Sequence, residues 1–287
     1  MHILMGKLVD HKRQWMYEKI HALIKDNPAD EHVIIVPEQY TVQAEKEFIH
    51  TIGCEGFINP EIISFNRLAH RVFQETGGRT RTVIDEMGKH MLVKKILTDL
   101  EADLMLFSGL VREPGMVERI VDSITELKQY EIFPDELYQH VLTMEDNLLL
   151  RNKLSDLVNI YRNFEASLEN NYVDQEDQYL ALIRQMKIAK YIHQKVFWID
   201  GFYSFTPQMI SVIKEMSLHG KEIYLTAYGS GNWLDMNGNI LSYQISQLVV
   251  DLEKNGQKCR ATDVDAYLSD QGNPAIHHLA EKFTTLP

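Results

Sequence analysis

His2-Ile3-Leu4-Met5-Gly6-Lys7-Leu8-Val9-Asp10-His11-Lys12-Arg13 is the stretch on which the fold turns. Ile3-Leu4-Met5 reads as a short buried strand, Gly6 opens a loop, and a helix is expected from Gln14 to Leu23. Strand, loop and helix in this order begin a phosphate-binding P-loop domain. The full pattern is Gly, four residues, Gly, Lys, then Ser or Thr. Gly6 and Lys12 are in register, but His11 stands at the second glycine and Arg13 at the hydroxyl. An imidazole obstructs the backbone N–H groups that would close on a phosphate. A guanidinium has no lone pair to offer Mg²⁺. Asp10 adds negative charge where phosphate oxygens would sit. The stretch reads as a P-loop scaffold that has lost nucleotide chemistry. A chance match of Gly6 and Lys12 is the alternative, because short motifs have false positives.

Working outward, the next segments alternate. Val33-Ile34-Ile35-Val36 is a β-branched run too short for a helix, followed by Pro37-Glu38-Gln39-Tyr40-Thr41 and a helix over 42–51. Glu61-Ile62-Ile63-Ser64 is a third strand, with a helix over 66–76 ending at Gly77-Gly78. The β-α-β-α-β-α order predicts a parallel sheet with crossover helices. From Asp85 to about Lys190 strand signals nearly vanish. Met116, Ile120, Ile124 and Leu127 mark one helix face, and Leu154, Leu157, Tyr161, Phe164 and Leu168 mark another. The sheet resumes at Lys195–Phe202, with a helix opened by Thr206-Pro207, a strand at 222–226, the loop Asn237-Gly238-Asn239, a helix over 240–254 and a short edge strand near 259–262. In Phe197-Trp198-Ile199-Asp200-Gly201, an apolar strand runs into Asp200, which has the form of a second nucleotide motif with an Mg²⁺-binding aspartate. A plain strand-to-turn junction has the same form.

Composition narrows the function. The 287 residues carry a net charge of −12 with pI near 5.5, which opposes indiscriminate binding to nucleic acid or anionic membrane. A local basic groove stays compatible with that charge. No apolar run is long enough for a membrane span, and Cys54 and Cys259 form no CxxC pair, so a reducing cytoplasm and no metal are expected. His277-His278 lacks a third ligand at metal spacing. Asp174, Glu176 and Asp177 could mimic nuclease carboxylates, but a solvated helix N-terminus is the expectation. The end of the chain, to Pro287, reads as interrupted.

Ile34-Ile35-Val36-Pro37-Glu38-Gln39-Tyr40-Thr41, Ile63-Ser64-Phe65-Asn66-Arg67-Leu68-Ala69, Val72-Phe73-Gln74-Glu75-Thr76-Gly77-Gly78 and Ile199-Asp200-Gly201-Phe202-Tyr203-Ser204-Phe205-Thr206-Pro207-Gln208 together resemble the N-terminal part of the AddB (RexB) family, the B subunits of bacterial AddAB helicase–nucleases. Weaker echoes are Glu126-Leu127-Lys128-Gln129-Tyr130 and Lys153-Leu154-Ser155-Asp156-Leu157. The resemblance implies an α/β, RecA-like P-loop NTPase fold of superfamily 1 helicase type. Its discontinuous helicase domain would be residues 1–83 and 191–287, with an all-helical subdomain inserted at 84–190. It implies a region that is not the main motor of an ATP-dependent helicase/exodeoxyribonuclease for break repair and recombination, and not catalytic alone. That region guides single-stranded DNA and recognises a Chi-type sequence, and its implied partners are an AddA (RexA) helicase–nuclease subunit and single-stranded or duplex-end DNA, with no membrane. Strand-contacting positions would be Gln39, Thr41, Phe65, His70 and Phe202. The degenerate nucleotide site would be Gly6, Lys12, Arg13 and Asp200. AddB proteins commonly keep an intact P-loop, from which His11 and Arg13 depart. The family's iron–sulfur nuclease domain lies outside these residues, so the chain is read as a fragment without a cofactor of its own.

The candidate DNA residues also stand on their chemistry. Gln39 offers donors and acceptors to base edges, and Phe65 and Phe202 offer faces for unstacked bases. Each follows a strand, where open α/β sheets bind ligands. Arg67 and Arg71 could meet phosphates. The competing readings are core burial for both Phe residues, a helix cap for Gln39 and Thr41, and pairing of Arg67 and Arg71 with Glu75. A working ATPase with an unusual loop, or a partner-binding scaffold, would be the other functions.

Overall fold

A computed structural model describes residues 1–6, 9–77, 82–144, 147–168, 172–228 and 240–264. The expected Asn237-Gly238-Asn239 loop, the His277-His278 pair, Gly78 and the end of the chain lie outside the described residues. The elements in chain order are β1 (His2–Gly6), α1 (Val9–Asp26), β2 (Glu31–Ile35), α2 (Thr41–Ile52), β3 (Glu61–Ile63), α3 (Phe65–Thr76), β4 (Thr82–Val83), α4 (Glu86–Asp99), α5 (Met116–Gln129), α6 (Pro134–Leu142), α7 (Leu148–Leu168), β5 (Tyr172–Val173), α8 (Gln175–Met186), α9 (Lys190–His193), β6 (Lys195–Ile199), α10 (Pro207–His219), β7 (Glu222–Tyr228), α11 (Ile240–Lys254) and β8 (Arg260–Asp263). They form two compact units. One holds the described residues of Met1–Gly77, Leu182–Phe205 and Met209–Pro287, the other those of Gly78–Ala181 with Thr206–Gln208.

The first unit is built on a parallel sheet in the order β3-β2-β6-β7-β1-β8. This is the expected α/β, RecA-like architecture. Strands covered on both faces must be apolar throughout, and Val33, Ile34, Ile35, Phe197, Trp198 and Ile199 are all fully buried. Trp198 stacks on Tyr224 of the neighbouring strand at 3.8 Å between centroids. Its indole N–H donates to His32 Nδ1 at 3.1 Å, which leaves the proton of a neutral His32 on Nε2. Burial also lowers the His32 pKa. α1 and α2 cover one face through Met16, Tyr17, Ile20, Ala44 and Phe48. β8 is an edge strand, as its short polar sequence suggested. α1 departs from expectation: it begins at Val9 rather than near Gln14, so His11, Lys12 and Arg13 belong to a helix.

The second unit is helical with a small addition. Its core joins Val93 and Leu97 of α4, Ile120 and Ile124 of α5, Leu137 and Val141 of α6, and Leu157, Tyr161, Phe164 and Leu168 of α7. The α5 and α7 members belong to the stripes that helical periodicity marks. β4 and β5 pair in parallel, Thr82 with Tyr172 and Val83 with Val173. Two-residue strands carry no period and escaped the sequence. Asp156, buried on α7, accepts from the backbone N–H groups of Met105, Leu106 and Phe107 at 2.7–2.9 Å, and so pins the segment between α4 and α5.

The acidic cluster at the start of α8 corrects the expectation of a solvated helix N-terminus. Asp174 and Glu176 are buried. Lys128, itself 2% exposed, donates to Glu165 at 2.7 Å, Asp174 at 2.6 Å and Asp177 at 2.9 Å. Lys89 pairs with Glu176 at 2.9 Å. Three carboxylates around one ammonium leave excess negative charge. Burial first, and the Asp174 charge next, push the Asp177 carboxyl up to about 7. A carboxyl that binds its proton more tightly when folded loses stabilising power as pH rises from its ordinary range through that value. Between pH 4 and pH 7, Asp177→Asn is therefore expected to gain stability relative to the wild type, with no further gain above. Urea melts across that range will show it. Lys128→Met, which strands the buried carboxylates, is expected to cost about 3–5 kcal/mol in the same assay.

Candidate functional site

The carboxyl ends of β1, β2, β3 and β6 carry the candidate residues. Asp200 leaves β6 with its N–H on Ile35 O at 3.0 Å and is 3% exposed. Both of its carboxylate oxygens are taken. Arg13 Nε donates to Oδ2 at 2.9 Å, and the Thr226 hydroxyl donates to Oδ1 at 2.7 Å. Arg13 Nη1 also meets Glu47 on α2 at 3.2 Å, and the guanidinium lies 4.7 Å from the Tyr40 ring centroid. The Tyr40 hydroxyl donates to the same Glu47 oxygen. Burial opposes the Arg13 charge, but the field and hydrogen bond of Asp200 outweigh it, and the Arg13 pKa sits above its ordinary value. Burial likewise works against the Glu47 carboxylate, yet hydrogen bonds from Tyr40 and Gln43 and the charge of Arg13 hold its pKa below the ordinary range.

Lys12 is committed as well. It is 5% exposed, and its ammonium donates to Ala227 O of β7 at 2.9 Å. A P-loop lysine must point at phosphate; this ammonium is tied to a strand carbonyl instead. Gly6 ends β1, and only residues 7 and 8 separate it from α1. Gly201 has φ +81°, open to glycine at little cost, and a Cβ there would come within 3.3 Å of Pro37. No acidic neighbour of Asp200 fits that position. The donor set does not suit Mg-ATP, because the lysine, the arginine and both aspartate oxygens already serve protein groups.

Around this core sit the candidate DNA residues. Ser64 caps α3, accepting from Arg67 N–H at 3.3 Å, and its hydroxyl donates to Glu38. Asn66 Nδ2 reaches the same Glu38 oxygen at 3.2 Å, so the loops after β2 and β3 are bound together. Gln39 is exposed beside them. Thr41 is 7% exposed at the start of α2, and its hydroxyl donates back to Glu38 O at 3.1 Å. Phe65 is 3% exposed and packs against half-buried Phe202 at 5.5 Å, which in turn meets Phe205 at 5.2 Å. His70 is half-buried on α3. Arg71 pairs with Glu61 at 2.6 Å, not with Glu75, whose carboxylate instead accepts from the N–H groups of Lys190 and Tyr191. Arg67 is exposed, and no carboxylate among the described residues pairs with it. Sequence reasoning passed over Tyr203, which is 90% exposed. The Phe202-Tyr203 dipeptide was the signal, but nothing local says which ring turns outward.

Removing one partner of a buried pair leaves a charge uncompensated. Arg13→Ala is expected to destabilise the chain by about 3–5 kcal/mol in urea titration. Adding Asp200→Asn to it should recover part of the loss, giving a non-additive double-mutant cycle.

The family model described as "ADDB, N-terminal" matches residues 3–273. Relatives named as the B subunit of an ATP-dependent helicase/deoxyribonuclease come from several bacteria. The one from Alkaliphilus metalliredigens is 34% identical over 78% of this chain and 19% of its own length. That from Geobacillus thermodenitrificans is 35% identical over 75% of this chain and 19% of its own. That from Oceanobacillus iheyensis is 32% identical over 100% of this chain and 26% of its own. The chain thus spans between a fifth and about a quarter of the length of these relatives. A match that runs through β1, the Glu38 and Ser64 loops and the Asp200 strand end places the chain in the AddB N-terminal family.

Proposed function

We propose that this chain is the helicase-like N-terminal region of the B subunit of an ATP-dependent helicase/deoxyribonuclease for double-strand break repair and recombination. Its part is to guide and recognise single-stranded DNA, including a Chi-type sequence, beside an AddA-type partner subunit. Its nucleotide site is silent. The observation that carries the reading is the engagement of Lys12, Arg13 and Asp200 with protein groups at 2.9 Å each. With the phosphate and metal ligands so committed, the sheet edge has no nucleotide to answer to. What it still offers is the exposed amide of Gln39, next to Glu38, and the exposed guanidinium of Arg67 in the first turn of α3, whose Asn66 Glu38 holds. An amide can read base edges and a guanidinium can meet phosphate, which is compatible with contact to an unpaired strand. On a protein of net charge −12, such contacts act locally, not through the overall field. The iron–sulfur cluster and nuclease chemistry of the wider family are assigned to other residues.

Calorimetric titration with Mg-ATP tests the silent site. No saturable heat at millimolar nucleotide, and strand affinity indifferent to Mg-ATP, are expected. Micromolar binding with phosphate release would instead make the chain an ATPase. Anisotropy with a labelled single strand tests Arg67: Arg67→Ala should weaken binding to all sequences alike and reduce the magnitude of the salt slope by about 0.7.

A further inference from the structure

α9 and α10 lead into β6 and β7, whose first turns of chain pair, Val196 with Glu222. The last residues of the two helices, His193 and His219, are brought together by that pairing. Their rings lie 5.4 Å apart between centroids and 8° from parallel. His193 Nε2 is 3.2 Å from Met186 O, and His219 Nε2 is 3.0 Å from Glu215 Oε1. A carbonyl and a carboxylate can only accept, so each Nε2 carries the proton. In the neutral rings both Nδ1 atoms then hold the lone pair. Among the described residues no protein group takes either Nδ1.

Imidazoles that bind a metal are set up in this way. The far N–H is held by a carboxylate or a carbonyl, which fixes the tautomer and aims the opposite lone pair. Two rings sharing one Zn²⁺, with the metal about 2.0–2.1 Å from each nitrogen, hold their centres roughly 5 Å apart. Histidine χ2 is a soft torsion, so the rings can tilt to converge without moving their helices. The local field favours a cation. Glu215 has a side chain only 15% exposed, and His219 ends α10, where the helix dipole is negative. Lys187 reaches Glu215 only at 3.8 Å and from an exposed position. The carboxylates around Lys128 offer no such place, because an ammonium already fills it.

We propose that His193 and His219 form a binding site for a divalent transition cation of the Zn²⁺ class, with Glu215 as the positioning residue behind His219. Imidazole nitrogen suits such ions, whereas Mg²⁺ and Ca²⁺ take oxygen ligands. Two protein ligands leave the remaining positions to water, so the site is open and not a closed structural one. A cation there ties α9 to α10 and so joins the starts of β6 and β7. The proposal is independent of the single-strand reading.

The test titrates the metal-stripped 287-residue chain with Zn²⁺ against a chromophoric chelator. The His193→Ala/His219→Ala double variant is the reference for whatever the other histidines and the two cysteines bind. The wild type is expected to take up one more equivalent than this variant, at micromolar affinity. Glu215→Ala should weaken that equivalent about 10-fold or more, and Glu215→Gln, whose amide oxygen still accepts from Nε2, should restore most of it. The metal-free melting temperature should be the same in all of these proteins, and saturating Zn²⁺ should raise it more in the wild type than in the double variant. Millimolar Mg²⁺ or Ca²⁺ should not compete. Equal uptake by the wild type and the double variant would overturn the site. Competition by Mg²⁺ would overturn the class of cation and point to carboxylate donors. Lost uptake matched by a lowered metal-free melting temperature would make the histidines structural and overturn the site equally. Wild-type affinity in Glu215→Ala would overturn the positioning role of Glu215.

Discussion

The ion pair between Arg13 and Asp200 is the constraint on which the rest depends. A carboxylate 3% exposed has lost nearly all of its hydration. Stripping a charge of water costs several kcal/mol, and only a close, well-directed partner offsets it. Arg13 supplies that partner at 2.9 Å, and Thr226 fills the remaining oxygen. In a nucleotide-binding relative of this architecture, a metal ion would be the natural counter-charge for such an aspartate. Here the counter-charge is covalently part of α1, at a fixed effective concentration, and no ligand is needed to keep Asp200 buried.

The sheet was legible because its strands are buried on both faces. Runs such as Val33-Ile34-Ile35-Val36 have no other stable fate at that length, and the helical stripes of α5 and α7 follow from the same need to hide apolar surface. The start of α1 was not legible. His11, Lys12 and Arg13 break no helix, but a motif frame laid over them favours a loop. Only the Ala227 carbonyl and the Asp200 carboxylate, more than 180 residues away in sequence, show what the two cations do as helix residues.

The acidic start of α8 failed for a similar reason. Asp174, Glu176 and Asp177 suit a helix N-terminus whether water or protein surrounds them. Their environment is set by Lys128 and Lys89, which lie 46 and 87 residues away along the chain. The site divides the same way. That Gln39, Phe65 and Phe202 follow strands could be read directly, because strand ends are punctuated by Pro37, Ser64 and Gly201. Which side chains face outward could not, since adjacent aromatic residues in a loop have no period to betray them.

The Arg13–Asp200 pair and the loops after β2, β3 and β6 are one construction. Arg13 lies over Tyr40, and Gly201 comes close to Pro37, Tyr40 and Arg13. The guanidinium therefore braces the loop after β2 against the loop after β6. Glu38, next to Pro37, carries the brace on to Ser64 and Asn66 after β3. Where a nucleotide occupies such a centre, these loops can shift with its state, and whatever they grip is gripped intermittently. Here Arg13 holds them through contacts to Asp200 and Tyr40 instead. Binding to a preformed surface avoids the ordering cost that a mobile one incurs, which agrees with the strand-reading role proposed above. Under that proposal, the silent nucleotide site and the fixed surface both trace to Arg13 standing where a P-loop has a hydroxyl residue.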